Sequence, residues 1–332
     1  MAKAQVGTAT FGWQGITLQV PADWNLGRVD GNYQSGYARL DDAEIVRAEI
    51  EWREGKARQF PVEQLVDRYL EGLEKKAKKS GLSFTATRRA RFLKDKRWLE
   101  GSDYELFTWE SDYRTYNLAR SCPACGRIVL LRVLTRLHEK AEDLVEEVFS
   151  SLVDHPAEGQ VCWSIYGLHF LFPVDFKLAS QELKSGHLQL SFEKDRQICR
   201  VHRISLAHLL LKDTGLADWY RGFFHKQLRD FKVEVEETAL GAHPGLRVQG
   251  QPRSRWRQLV RPLPFLNPRP RQYLDSRVWH CQSVDKICII DHLYRKREEG
   301  EDLPLRLSHG YFCHQESQTE PPGHAQLTAD AQ

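Results

Sequence analysis

Apolar and polar residues alternate over residues 16–20, and Pro21 stops the run, which predicts a strand. A second strand is expected after the turn signal Gln34-Ser35-Gly36, and a third over residues 45–52. Beyond Pro61 the period changes. Val62, Leu65, Val66, Tyr69, Leu70 and Leu73 fall on one stripe of a helix, and Gly81 is its stop signal. Strands are expected over residues 84–92, 104–109 and 116–121. The turn Cys122-Pro123-Ala124-Cys125-Gly126 then leads into another strand over 128–133. Ala141, Leu144, Val145, Val148 and Leu152 predict a second amphipathic helix, and His155-Pro156 leads into a linker.

The chain then begins again. Gly15-Ile16-Thr17-Leu18-Gln19-Val20-Pro21-Ala22-Asp23-Trp24 is matched, 152 residues later, by Gly167-Leu168-His169-Phe170-Leu171-Phe172-Pro173-Val174-Asp175-Phe176. Two copies of one domain are expected, over residues 1–156 and 157–314. The second copy repeats the turn as Ser185-Gly186. Its helix carries Leu216, Trp219, Tyr220, Phe223, Phe224, Leu228 and Phe231, and its hairpin covers residues 278–293. It departs from the first in two ways. An Arg/Pro-rich insertion occupies 247–277, and residues 303–307 read as extended, leaving no closing helix. Residues 315–332 are polar, contain Pro321-Pro322-Gly323 and are expected to be disordered.

The fold class expected is α+β: two tandem copies of a twisted antiparallel sheet with helices packed on one face. The order β-β-β-α-β-β-β-β-α, with the opening G-x5-P-x-D-[W/F], resembles the Mog/PsbP-like fold, including DcrB-like proteins and Eag-type effector chaperones. That resemblance implies partner binding, because members of the fold mostly bind macromolecules; it supplies no catalytic residue to transfer.

Composition adds little that is specific. The 332 residues are 41% hydrophobic and 28% charged, with a net charge of +3, so no global field demands an anionic partner. No apolar run reaches the roughly 18 residues of a membrane span, and the start has no signal-peptide core, so a cytoplasmic protein without membrane insertion is expected. The seven cysteines are odd in number and dispersed, which argues against a disulfide framework.

Cys122-Pro123-Ala124-Cys125-Gly126 has the form of a zinc knuckle, a tight turn that aims two thiolates at one metal. A structural zinc takes four ligands. Cys281 and Cys288 are equidistant from Val284-Asp285, so a two-residue turn would set them opposite each other and able to complete a shared site; His280, Cys313 and His314 are further candidates. The competing reading makes Cys122 and Cys125 turn formers and Cys281 and Cys288 small core residues.

Two basic clusters occur. One runs from Lys75 to Arg97. The other, in the insertion, holds Arg253, Arg255, Arg257, Arg261, Arg269 and Arg271, with Trp256 and Phe265 among them. Arginine with aromatics suits an acidic protein surface or stacked nucleobases. Solvated faces explain the same residues. No G-x-S-x-G, phosphate-binding glycine loop or H-E-x-x-H is present. The expectation is a non-catalytic binding protein with a protein partner, with a zinc-stabilised or nucleic-acid-associated accessory protein as the alternative.

Overall fold

The computed structural model describes residues 7–55, 61–156, 159–253, 272–295 and 303–314. Most of the expected insertion, with Arg255, Trp256, Arg257, Arg261, Phe265, Arg269 and Arg271, lies outside the described residues, as does 315–332. The chain divides into two compact units, Met1–Ala179 and Ser180–Gln332.

In the first unit, β1 (Thr8–Trp13), β2 (Ile16–Pro21), β10 (Gln160–Ile165) and β11 (Leu168–Pro173) form a four-stranded sheet in the order β11-β10-β1-β2. The two opening motifs thus build one sheet of their own. Gly12 faces Ser164 across the β1–β10 seam, and a Cβ there would meet the Cys162 carbonyl at 2.8 Å, so the close approach needs glycine.

The larger sheet of this unit comprises β3 (Asn25–Gly31), β4 (Ser35–Asp41), β5 (Val46–Glu54), β6 (Thr85–Thr87), β7 (Asp103–Glu110), β8 (Arg114–Ser121) and β9 (Arg127–Thr135), in the order β3-β4-β5-β9-β8-β7-β6. The expected helix is α1 (Val62–Ser80), and Gly81 ends it in the left-handed conformation at φ 69°. Its buried Val62, Val66 and Leu70 pack on Phe107 and Ala119 of one sheet face. The second helix, α2 (Glu142–Ser150), packs against β2.

The second unit's sheet comprises β12 (Lys177–Lys184), β13 (His187–Lys194), β14 (Gln197–Ser205), β15 (Phe231–Leu240), β16 (His243–Pro252), β17 (Tyr273–Cys281) and β18 (Lys286–Tyr294). Its order, β12-β13-β14-β18-β17-β16-β15, is that of the first unit's large sheet with every strand advanced by nine. Where the first unit has α1, the second has α3 (Ala207–Leu210), α4 (Leu216–Phe223) and α5 (His225–Leu228). Trp219, Tyr220, Phe224 and Leu228 bury against Val248, Val278, Ile287 and Ile289.

Several expectations change. Among the described residues the sheets are antiparallel, but strands dominate, helices are few, and there are three sheets. The second unit's helices do not share one face. Val278 packs under the helical layer, whereas Trp279, its neighbour on the opposite face, meets Tyr311 at 5.0 Å just beyond α6 (Leu303–His309). That last helix was expected to be extended chain. Pro304 sits in its first turn, where no N–H partner is lost, and Leu303 and Leu307 are buried one turn apart. The expected insertion also shrinks at both ends: Arg247 lies in β16 and Arg277 is buried in β17. Among the described residues no helix is long and apolar enough to cross a membrane.

Candidate metal centres

The Cys122–Cys125 turn closes the β8–β9 hairpin. The Cys122 N–H donates to the Arg127 carbonyl at 2.8 Å, and the Gly126 N–H donates to the Cys122 carbonyl at 3.0 Å, with Gly126 at φ 72°. This geometry holds Cys122, 1% exposed, and the half-buried Cys125 on the same turn. The chain leaving α2 returns to it. Val153 and Thr17 of β2 exchange backbone hydrogen bonds at 2.8 and 3.0 Å, which fixes Asp154 and His155 beside the turn. His155 Nδ1 lies 3.4 Å from Cys122 Sγ and 2.8 Å from Asp154 Oδ1. One donor atom each from Cys122, Cys125, Asp154 and His155 lie within 4.8 Å of one another.

The second unit builds a related group at the matching place. His314 Nδ1 is 3.3 Å from both Cys281 Sγ and Cys313 Sγ, and His243 Nε2 is 3.1 Å from Cys313 Sγ. Donor atoms of these four also lie within 4.8 Å. Cys281 ends β17, Cys313 and His314 follow α6, and His243 opens β16 after the turn at Gly241. A tetrahedral zinc, with Zn–S of about 2.3 Å and Zn–N of about 2.0–2.1 Å, holds neighbouring sulfur and nitrogen donors roughly 3.5 Å apart. Both groups come close to that spacing without an ion.

Three donor positions of the two groups correspond. Cys281 lies 159 past Cys122, Lys286 past Arg127, Cys313 past Asp154, and His314 past His155. In each unit the paired cysteine and histidine are 33 residues apart. The left-handed Gly126 is matched by Asp285 at φ 52°. The Asp154 position becomes a thiol, Cys313, and the Cys125 position becomes Val284, so His243 from a neighbouring hairpin supplies the fourth donor.

The sequence reading paired Cys122 and Cys125 with Cys281 and Cys288. The structure gives each hairpin its own partners. The turn between β17 and β18 takes four residues, Gln282 to Asp285, so Cys281 faces Lys286 and Cys288 faces Trp279. Cys288 is buried beside Tyr311, outside the group, and burial pushes its thiol up to about 12. His280 sits on the alternate strand face, with Nε2 4.0 Å from Asp285 Oδ1. Asp154, His155 and His243 were missed as ligands. The recurring 33-residue step from cysteine to histidine was the available signal; His243 had none, because its place depends on how β15 and β16 pair.

Burial also raises the metal-free thiols of Cys122 and Cys313 to about 11. A bound cation would reverse this, since metals bind thiolates.

Other expected sites look different in place. In the first basic cluster Arg88 pairs with Asp67 and Glu105, Arg89 with Glu63, Lys94 with Asp143 and Arg97 with Asp95. Arg253 donates through Nε to the Phe231 carbonyl at 2.8 Å and extends the β15–β16 edge. A separate buried network joins His187, His202 and Asp291, with Nε2–Nδ1 at 3.1 Å and Nε2–Oδ2 at 3.4 Å, and Tyr220 Oη lies 3.2 Å from Asp291. Phe223 and Phe224 pack over these rings.

No family model matches the chain, and no curated protein does. Among solved structures, it is similar to cyanobacterial PsbP (CyanoP) from Synechocystis sp. PCC 6803, at 12% identity and a TM-score of 0.31, over 45% of this chain and 93% of that one. It is also similar to the T6SS immunity protein TplEi from Pseudomonas aeruginosa, solved in complex with "L" peptide, at 12% identity and a TM-score of 0.32, over 94% of this chain and 98% of that one.

Proposed function

We propose that this chain is a non-catalytic accessory protein in which a structural zinc ion closes each unit, and whose surface engages a macromolecular partner. The observation that carries the metal half is the recurrence of three donor positions at one offset of 159 residues, each set completed to four donors. Each group offers four protein donors, two of them thiols, which fills a tetrahedral zinc and leaves no position for substrate; that is the pattern of a structural rather than a catalytic ion. The ion would fasten the segment after each unit's last helix to the hairpin turn. A thiol–disulfide activity is disfavoured, because the C-x-x-C pair caps a hairpin and lacks the helix N-terminus that lowers a thiol pKa.

The partner half is supported by apolar side chains held in solvent. Leu206 is 55% exposed and Leu209 57%, and Leu206 keeps a left-handed backbone at φ 62°, which a branched residue adopts at a cost. The nucleic-acid alternative loses ground where Arg88, Arg89, Lys94 and Arg97 are matched by carboxylates.

The test is metal analysis of the full chain, purified without chelator, beside its Cys122→Ser and Cys281→Ser variants. Two zinc ions in the parent and one in each variant are expected. Equal zinc content in all three would end the metal reading. A Leu206→Ser/Leu209→Ser double variant should keep both ions and its melting temperature but lose co-purifying protein; unchanged co-purification would remove that surface.

A further inference from the structure

The two donor groups differ in charge, and the difference has a matching cation. With a divalent ion, Cys281, Cys313 and two neutral imidazoles form a neutral centre. The first unit has one imidazole, His155, and three anionic donors: Cys122, Cys125 and Asp154 supply three negative charges, so the centre keeps one. Arg127 stands beside it, 1% exposed. Its guanidinium donates to the carbonyls of Asp154 at 3.1 Å, Gln14 at 2.8 Å and Tyr33 at 2.5 Å, and it stacks 3.7 Å from the Tyr33 ring centroid. Among the described residues no carboxylate forms an ion pair with it, and its Nε has no partner. Asp154 Oδ2 is likewise buried without a hydrogen bond. A buried guanidinium lacking a counter-anion and a buried carboxylate oxygen lacking a donor are each costly alone. An ion on Asp154 Oδ2 resolves both.

Resting on the two-zinc reading, we propose that Arg127 is the outer-shell counter-ion of the first unit's metal, and that it makes a Cys2AspHis donor set workable there. Arg127 is a positioning residue: it touches no metal. Through its carbonyl bonds it also ties the centre to the β1–β2 turn at Gln14 and the β3–β4 turn at Tyr33, so occupancy of this one site is felt in both sheets of the first unit. The second unit has Lys286 at the matching position, beside a donor set that needs no compensation.

A charge-exchange cycle tests this. The full chain carrying Cys281→Ser and Cys313→Ser leaves only the first centre to report. Zinc affinity is measured by chelator competition, with cobalt(II) substitution and its thiolate charge-transfer absorption confirming the ligands. Arg127→Met should weaken binding by about 10–100-fold, the usual effect of losing an outer-shell partner. Arg127→Lys keeps the charge, should retain most of the affinity, and serves if the methionine variant does not fold. Asp154→His converts the first donor set into the neutral kind found in the second unit; in that background Arg127→Met should change affinity less than about 3-fold, because no excess charge remains. An equal loss in both backgrounds would make Arg127 purely structural and overturn the proposal. Zinc bound with no dependence on Arg127 would overturn it while leaving the two-zinc reading intact. A parent that binds no zinc would overturn both.

Discussion

His314→Ala should destabilise the protein only when metal is present. The ring is half-buried, at the end of the described second unit, and its Nδ1 is 3.3 Å from two thiol sulfurs. Among the described residues its ring packs edge-on to His243 at 5.3 Å, an interaction of about 0.5–1 kcal/mol. Removing it from metal-free protein should therefore cost about that much. With free zinc a thousandfold above the dissociation constant, a bound ion adds about 4 kcal/mol to the folded state. Loss of one donor in four would forfeit most of that gain. For a unit of this size 1 kcal/mol moves the midpoint by roughly 2–4 °C, so the zinc-loaded variant should melt about 8–16 °C lower than the zinc-loaded parent, and the metal-free pair should differ by no more than about 4 °C. Calorimetry of parent and variant, each with zinc and after chelation, reads all four states. A drop of the same size in the chelated pair would show that His314 acts by packing, and the ligand assignment would fail.

Cys288→Ala should keep both zinc ions and lose about 1 kcal/mol of stability, the cost of a small buried group, measured by metal content and urea unfolding; loss of an ion would put Cys288 back among the ligands. Zinc binding should release about two protons per centre at neutral pH, because protonated thiols cannot ligate, and calorimetry in buffers of different ionisation enthalpy counts them. Metal-free protein should weaken as pH falls from about 6.5 to 4. His292 is fully buried with Nε2 3.0 Å from Gln197 Oε1, and desolvation lowers its pKa to about 4. The unfolded chain then takes up a proton that the folded chain refuses, which removes about 3 kcal/mol across that window. His187, lowered to about 4 by desolvation and by His202, acts in the same direction. A flat stability profile from pH 6.5 to 4.5 would contradict this.

Much of this fold was visible where burial imprints a period. The α1 stripe from Val62 to Leu73, the stop at Gly81 and the β7–β9 strands all follow from apolar spacing. What escaped the sequence lacked such an imprint. β3, Asn25–Gly31, is a mostly exposed edge strand with a polar pattern, and Leu303–Leu307 is too short for a helical period to stand out beside Pro304. The pairing of β1 with β10 is a long-range choice, marked locally only by Gly12. The candidate centres were half legible. Cys122, Cys125 and Cys281 announced themselves, and Cys313 and His314 were in view, but a two-residue turn was assumed where a four-residue turn sets the register. That single change moved Cys288 out of the group. His243 could be recognised only once β15 and β16 were paired.

The most direct test of the account is anomalous X-ray scattering at the zinc absorption edge from crystals of protein purified without chelator. Two peaks are expected, each about 2.3 Å from two sulfurs. One should lie among Cys122, Cys125, Asp154 and His155, the other among His243, Cys281, Cys313 and His314. No peak at either place, or a single ion held by Cys288, would contradict it.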